Sequence, residues 1–203
     1  MKMQHNISLK AFNTFGVDAV AHSFITVSSV AQLEHVFNDL INSDQPYLIL
    51  GGGSNLLFTQ DYNGVIVKNE IEGIDVVNED EEYVYVKAGA GVNWHEFVLH
   101  CINQDWGGVE NLSLIPGTVG AAPVQNIGAY GVELKDVLHS LRFWDIRKQQ
   151  LISFDNDACA FGYRNSIFKQ DLKGLTVICD VTFRLTKQHK VKVGYGAIQN
   201  QLA

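Results

Sequence analysis

Two glycine-dense stretches constrain this chain more than any other feature. They are Leu48-Ile-Leu-Gly-Gly-Gly-Ser-Asn-Leu-Leu-Phe58 and Leu114-Ile-Pro-Gly-Thr-Val-Gly-Ala-Ala-Pro-Val-Gln-Asn-Ile-Gly-Ala-Tyr-Gly131. Glycine lets the backbone pass through φ > 0 and lets a ligand come close to bare N–H groups. Successive N–H groups turned into one concavity form an anion nest. Two such loops set among apolar residues point to a ligand with a pyrophosphate and a flat, largely apolar ring, which describes a flavin dinucleotide.

Neither loop is a common phosphate or nucleophile motif. Leu56 stands where G-x-G-x-x-G and G-x-S-x-G, started at Gly51 or Gly52, would need glycine, and no G-K-[ST] occurs. In the first loop Ser54 and Asn55 follow three small residues and are able to donate to phosphate oxygens; Leu56-Leu-Phe58 reads as further strand. In the second loop Pro116-Gly117 sets a turn, Thr118 is placed as an N-cap, and Val119 to Ala122 form a short helical turn. Gln125 and Asn126 offer amide groups that suit a flavin's polar edge.

The rest of the chain reads as two α+β units. Residues 1–69 form a small α/β subdomain: a strand at Ser23 to Val27, a helix on Val30, Leu33, Val36, Phe37, Leu40 and Ile41 capped by Ser28 or Ser29, a strand at Tyr47 to Leu50, a turn at Asp61 to Gly64 and a strand at Val65 to Val67. Residues 70–203 form the second: an acidic turn at Asn78 to Glu82, an alternating strand at Tyr83 to Lys87, a helix capped by Asn93 and running through Ile102, and long strands at Leu138 to Ile146 and Leu175 to Leu185 around a short helix near Asp155 to Ala160.

Composition narrows the function classes. Lys+Arg 15 against Asp+Glu 22 gives a net charge of −7, which argues against nucleic acid as the partner. An anionic ligand must then be held by local dipoles and one or two cations. Cys101, Cys159 and Cys179 have neither metal-knuckle nor redox spacing and read as reduced, buried thiols. His95 and His100, five apart, do not share a helix face as metal ligands, and no metal is expected. Met1 to Asn6 lacks an apolar signal core and no later segment reads as a membrane span, so the expectation is a cytoplasmic protein without membrane contact; a monomer is expected. Arg164 sits in the aromatic Phe161-Gly-Tyr-Arg-Asn-Ser-Ile-Phe168; on its own it reads as a structural ion pair or a surface residue.

The matching segments are Asn13-Thr-Phe-Gly16, Leu50 to Leu56, Glu110-Asn-Leu112, Ile115 to Glu133 and Phe161 to Lys169. On these, taken in order, the chain resembles the bacterial UDP-N-acetylenolpyruvoylglucosamine reductases of peptidoglycan synthesis. The resemblance implies a two-subdomain α+β FAD-binding fold of the vanillyl-alcohol-oxidase type, with FAD as cofactor, NADPH as reductant and a UDP-sugar enolpyruvyl ether as substrate. Expected cofactor contacts are Gly51, Gly52, Gly53, Ser54, Asn55 and Leu56 in the first loop. In the second they are Ile115, Pro116, Gly117, Thr118, Gly120, Ala121, Gln125, Asn126, Gly128, Ala129, Tyr130 and Gly131. Arg164 becomes the catalytic arginine beside the substrate carboxylate; Tyr163 and Tyr195, the latter matching the mobile-loop tyrosine of the longer-loop subtype, become substrate contacts. The family's proton-donor serine motif and its C-terminal glutamate have no match up to Ala203. The expectation is the FAD-binding portion alone, without overall turnover. The rival readings are a non-catalytic flavin module and a flavin oxidase of the same superfold.

Overall fold

The structure is a computed structural model and describes residues 1–188 and 194. Tyr195 lies outside the described residues.

The first sheet contains β1 (Gln4–Ser8), β2 (Val20–Val27), β3 (Tyr47–Leu50) and β4 (Tyr62–Asn69) in the order β1-β2-β4-β3. β2, β4 and β3 run parallel, so α1 (Val30–Leu40) carries the chain back from β2 to β3. Ser29 caps α1 by accepting from Gln32 N–H, and the Gln32 side chain accepts in return from Ser28 N–H at 2.8 Å. Leu33, Val36, Phe37 and Leu40 point inward at helical spacing.

The second sheet is antiparallel, with order β10-β9-β11-β6-β5. Its strands are β5 (Ile74–Glu79), β6 (Tyr83–Gly89), β9 (Leu138–Asp145), β10 (Gln150–Asp155) and β11 (Thr176–Thr186). A two-residue ribbon, β7 (Gly128–Ala129) against β8 (Val132–Glu133), stands apart. On one face α2 (Trp94–Asn103), capped by the Asn93 side chain, buries Trp94, Phe97, Val98 and Cys101 against Val84, Val86 and Phe183. On the other, Trp144, Ile146, Val177 and Cys179 pack with α1, Ile25, Val27, Val65 and Val67. Asn69 Nδ2, at the end of β4, donates to the Ile178 carbonyl of β11 at 2.8 Å. The two sheets therefore share one core rather than touching at a rim. Among the described residues no helix is long and apolar enough to cross a membrane.

The expected strands and both helices are present, with three differences. β1, β5 and β10, absent from the sequence reading, are all sheet edges. Edge strands owe their form to backbone pairing and carry weak apolar patterning. Leu56 to Phe58 is not a strand: β3 already occupies the sheet edge, and these residues have no strand partner. Tyr62 to Gly64 belongs to β4 rather than to a turn, because Val65 N–H pairs with the Pro46 carbonyl at 2.9 Å and draws the chain into extension.

Candidate functional site

β3 ends at Leu50 and the first glycine loop starts at once. The loop thus leaves the carboxyl edge of a parallel sheet, where α/β proteins place their ligands. The Asn13 side chain, buried, accepts from Val17 N–H and donates to the Leu9 and Val17 carbonyls, fixing the segment beneath the loop. Gly53, at φ +65°, lies against it: a Cβ there would overlap the Phe12 carbonyl oxygen. Its missing side chain therefore makes room for protein backbone and not for phosphate.

The second loop is pinned to the start of α2. Trp94 N–H donates to the Gly117 carbonyl, Val119 N–H to Val92 and Gly120 N–H to Ala90, at 3.1, 2.9 and 2.9 Å. Trp94 Nε1 holds the Leu112 carbonyl at 2.8 Å. A Cβ on Gly120 would sit 2.5 Å from the Cβ of Ala90, so only glycine lets the loop lie this close. Val119–Gln125 forms a 3₁₀ turn with Thr118 at the N-cap position, but the Thr118 side chain makes no capping bond. Its hydroxyl instead lies 2.9 Å from where Gly51 would carry a Cβ.

These restraints bring the two loops face to face. A Cβ on Gly52 would meet Gly117 Cα at 3.0 Å, and one on Gly117 would meet Ser54 Oγ at 3.2 Å. Between them opens a cleft of about 260 Å³ lined by Gly51 to Leu56, Pro116, Thr118, Ala121 and Gln125, with Ile49, Trp94, Val124, Ile127 and Lys169. It continues into a chamber of about 700 Å³ between β3 and β11, sharing Ile49, Gly51, Asn55, Leu56, Thr118, Ala121 and Val124 and adding Gly120, Tyr47, Lys173 and Thr176. The chamber falls within the range of about 300–1,000 Å³ usual for cofactor sites. The site is long, apolar along its walls and polar at Ser54, Asn55, Thr118 and Gln125, which fits a dinucleotide with an aromatic ring.

A separate recess of about 590 Å³ adjoins it, lined by Gly128, Ala129, Tyr130, Gly131, Val132, Glu133, Asp136, Tyr163 and Arg164. Tyr163 is 85% exposed there, and the Arg164 Cζ lies 5.8 Å from its ring centroid. Arg164 is exposed, at φ +51°, and its Nη2 donates to the Gly128 carbonyl at 2.6 Å.

The expected cofactor residues thus fall into distinct places. The first-loop set and Pro116, Thr118, Gly120, Ala121 and Gln125 line the cleft or its continuation. Gly117 forms the seam between the loops, and Ile115 packs against the core behind it. Gly128 to Gly131 line the recess instead. Asn126 is fully buried and both ends of its amide are spent on protein, donating to the Gly162 carbonyl and accepting from Lys135 N–H, each at 3.0 Å. It lies under the loop, not in the cleft, so its amide is not free to read a flavin edge. Lys169 was not among the expected contacts, yet it is the cation of the 260 Å³ cleft, with Nζ donating to the Arg164 carbonyl at 3.1 Å. Its only sequence signal is its place at the end of the Phe161 to Lys169 motif. His95 plays a structural part, accepting from Leu114 N–H at 3.3 Å. Among the described residues no cluster could hold a metal ion.

Comparison with known proteins agrees with this geometry. A family model for an FAD binding domain matches residues 21–153. UDP-N-acetylenolpyruvoylglucosamine reductases of Amoebophilus asiaticus and Flavobacterium johnsoniae are 48% and 45% identical over the whole of this chain. The chain spans 60% of the length of these curated relatives. Among solved structures, the UDP-N-acetylenolpyruvylglucosamine reductase of Thermus caldophilus superposes with a TM-score of 0.75 at 22% identity, covering all of this chain and 68% of that one. A solvent-stable cholesterol oxidase superposes with a TM-score of 0.66 at 14% identity, over 88% of this chain and 37% of that one, which shows the shared oxidase-type fold. A mixed α+β fold, two opposed glycine loops and a matching family model lead to one conclusion: the chain belongs to the FAD-binding domain family.

Proposed function

We propose that this chain is the FAD-holding part of a UDP-N-acetylenolpyruvoylglucosamine reductase, with NADPH as electron source and a UDP-sugar enolpyruvyl ether as acceptor. The observation that carries the reading is the placement of Arg164. It lines a recess together with Gly128 to Gly131, which continue the cofactor loop, and its guanidinium bonds the Gly128 carbonyl. When bound, FAD supplies two-electron chemistry between nicotinamide and a carbon–carbon double bond.

The chain's own residues have separable tasks in this reading. Backbone of the first loop, with Ser54 and Asn55, faces the pyrophosphate; Lys169 adds a local positive charge to a protein of net charge −7. Gln125 supplies amide groups to the ring's polar edge. Arg164 meets the substrate carboxylate with a planar guanidinium fork that suits bidentate pairing. That charge stabilises negative charge building on the carboxylate side as the double bond is reduced, and removing one such donor costs about 10²–10³ in rate. Tyr163 and Tyr195 are assigned to the UDP-sugar. Protonation of the substrate is assigned to no residue of this chain, so residues 1–203 alone are expected to hold FAD without forming product.

The test has two parts. Purified residues 1–203, mixed with FAD and desalted, should keep a visible flavin band while making no UDP-N-acetylmuramate; a colourless protein, or product formation, would overturn the corresponding half of the proposal. In the intact protein, Arg164→Ala should retain FAD and lose turnover by about 10²-fold or more. Undiminished turnover would remove Arg164 from its catalytic place.

A further inference from the structure

The turn that carries Arg164 is closed by a pair of backbone bonds. Gly162 N–H donates to Asn165 O at 3.0 Å and Asn165 N–H donates to Gly162 O at 3.2 Å, leaving Tyr163 and Arg164 as the two central residues. Arg164 at φ +51° is in the left-handed region, an unfavourable place for a long side chain. Such a conformation persists only where surrounding bonds over-determine it. Here Lys169 Nζ holds the Arg164 carbonyl at 3.1 Å, and the remaining bonds come from the cofactor loop.

Asn126 Nδ2 donates to the same Gly162 carbonyl that closes the turn, while Asn126 Oδ1 accepts from Lys135 N–H. Two residues along the same loop, the Gly128 carbonyl accepts from Arg164 Nη2 at 2.6 Å. The base and the tip of the arginine are thus both held by the segment Asn126 to Gly128. Asn126 is itself at φ +45°, which asparagine tolerates better than most residues, and is completely buried. A buried amide with every strong bond inside the protein orients its neighbours and reads no ligand.

We propose that Asn126 is a positioning residue for Arg164: its amide ties the Gly162–Asn165 turn to the cofactor loop and thereby fixes where the guanidinium points. This rests on the assignment of Arg164 to the substrate carboxylate. A small displacement of such a group lowers the rate steeply, since about 1 Å of misplacement can cost 10²-fold.

Asn126→Asp separates the two halves of the amide. Aspartate is isosteric, accepts the left-handed conformation and still accepts from Lys135 N–H, but as a carboxylate it has no proton to donate to the Gly162 carbonyl. In the intact protein it should keep FAD affinity within about threefold while kcat/KM for the UDP-sugar falls about 10²-fold. In an Arg164→Ala background the same change should cost less than about twofold, because the arginine it positions is gone. Independently of turnover, the Gly162 and Asn165 amides should exchange with solvent about tenfold faster or more, with the amides of α1 unchanged. Should Asn126→Asp fail to fold, Asn126→Gly, which takes φ > 0 freely, is read in the same assays. Full turnover in the variant, an additive loss on top of Arg164→Ala, or unaltered exchange at Gly162 and Asn165 would each overturn the proposal. Loss of FAD with no selective effect on exchange would return Asn126 to direct cofactor binding. A wild-type protein without reductase activity would overturn the functional reading, and the exchange measurement would still decide the positioning of the turn.

Discussion

At the scale of single residues, glycines that share a positive φ do different work from one another. Gly16 and Gly53 share a positive φ, +64° and +65°, but a Cβ on Gly16 meets nothing within 4 Å while one on Gly53 overlaps the Phe12 carbonyl oxygen. Gly16→Ala should therefore show backbone strain alone, of order 1 kcal/mol, whereas Gly53→Ala adds backbone displacement at a further cost of about 1–3 kcal/mol. Urea denaturation of the two variants checks this; equal losses would show that the Phe12 segment yields freely. Sequence alone marks both positions as glycine and cannot rank them, because the ranking depends on which backbone passes overhead. Asn126 teaches the same lesson from the other side. Its residue type suits either a ligand or a buried brace, and only the positions of Gly162 and Lys135 decide between them.

At the scale of elements, local chemistry is readable and pairing is not. Ser29 and Asn93 cap α1 and α2 as expected, and the buried stripes Leu33-Val36-Phe37-Leu40 and Trp94-Phe97-Val98-Cys101 follow from helical period. These signals need no partner, since capping and amphipathicity act within one segment. Ser29→Ala should cost about 1 kcal/mol by loss of the bond to Gln32 N–H, without altering FAD affinity, because α1 packs on Trp144 and Val177 and lines neither part of the cleft. A loss below a few tenths of a kcal/mol would mean that the reciprocal Gln32 to Ser28 bond suffices by itself. In contrast β1, β5 and β10 exist through a neighbour on one side only, and the Leu56 to Phe58 segment, patterned as strand, has no neighbour at all.

At the scale of the whole molecule, the shared core makes the two sheets one cooperative unit. Cys179 lies in the core between the sheets, while Cys101, on α2, and Cys159, in the turn after β10, lie in the core of the second sheet. Burial pushes all three thiols up to about 12, chiefly by desolvation of the thiolate. At pH 8 the native protein should therefore react with a disulfide reagent at none of the three, and all three should become reactive together across a single urea transition that coincides with the loss of circular dichroism. Early reaction of Cys179 ahead of the other two would show that the sheets separate before either unfolds.

Features that rest on neighbours along the chain are legible before any fold is known. They cover the two glycine loops, the helix caps, the apolar periodicities, the net charge of −7, and the motifs that lead to an FAD-binding α+β fold. Features that depend on two distant segments meeting come from the fold alone. Gly52 against Gly117, Lys169 in the cleft, Asn126 beneath it and Arg164 at a separate recess are each set by pairs far apart in sequence. The physical reason is that a residue's type limits the bonds it is able to make, while the fold supplies the partner that uses them.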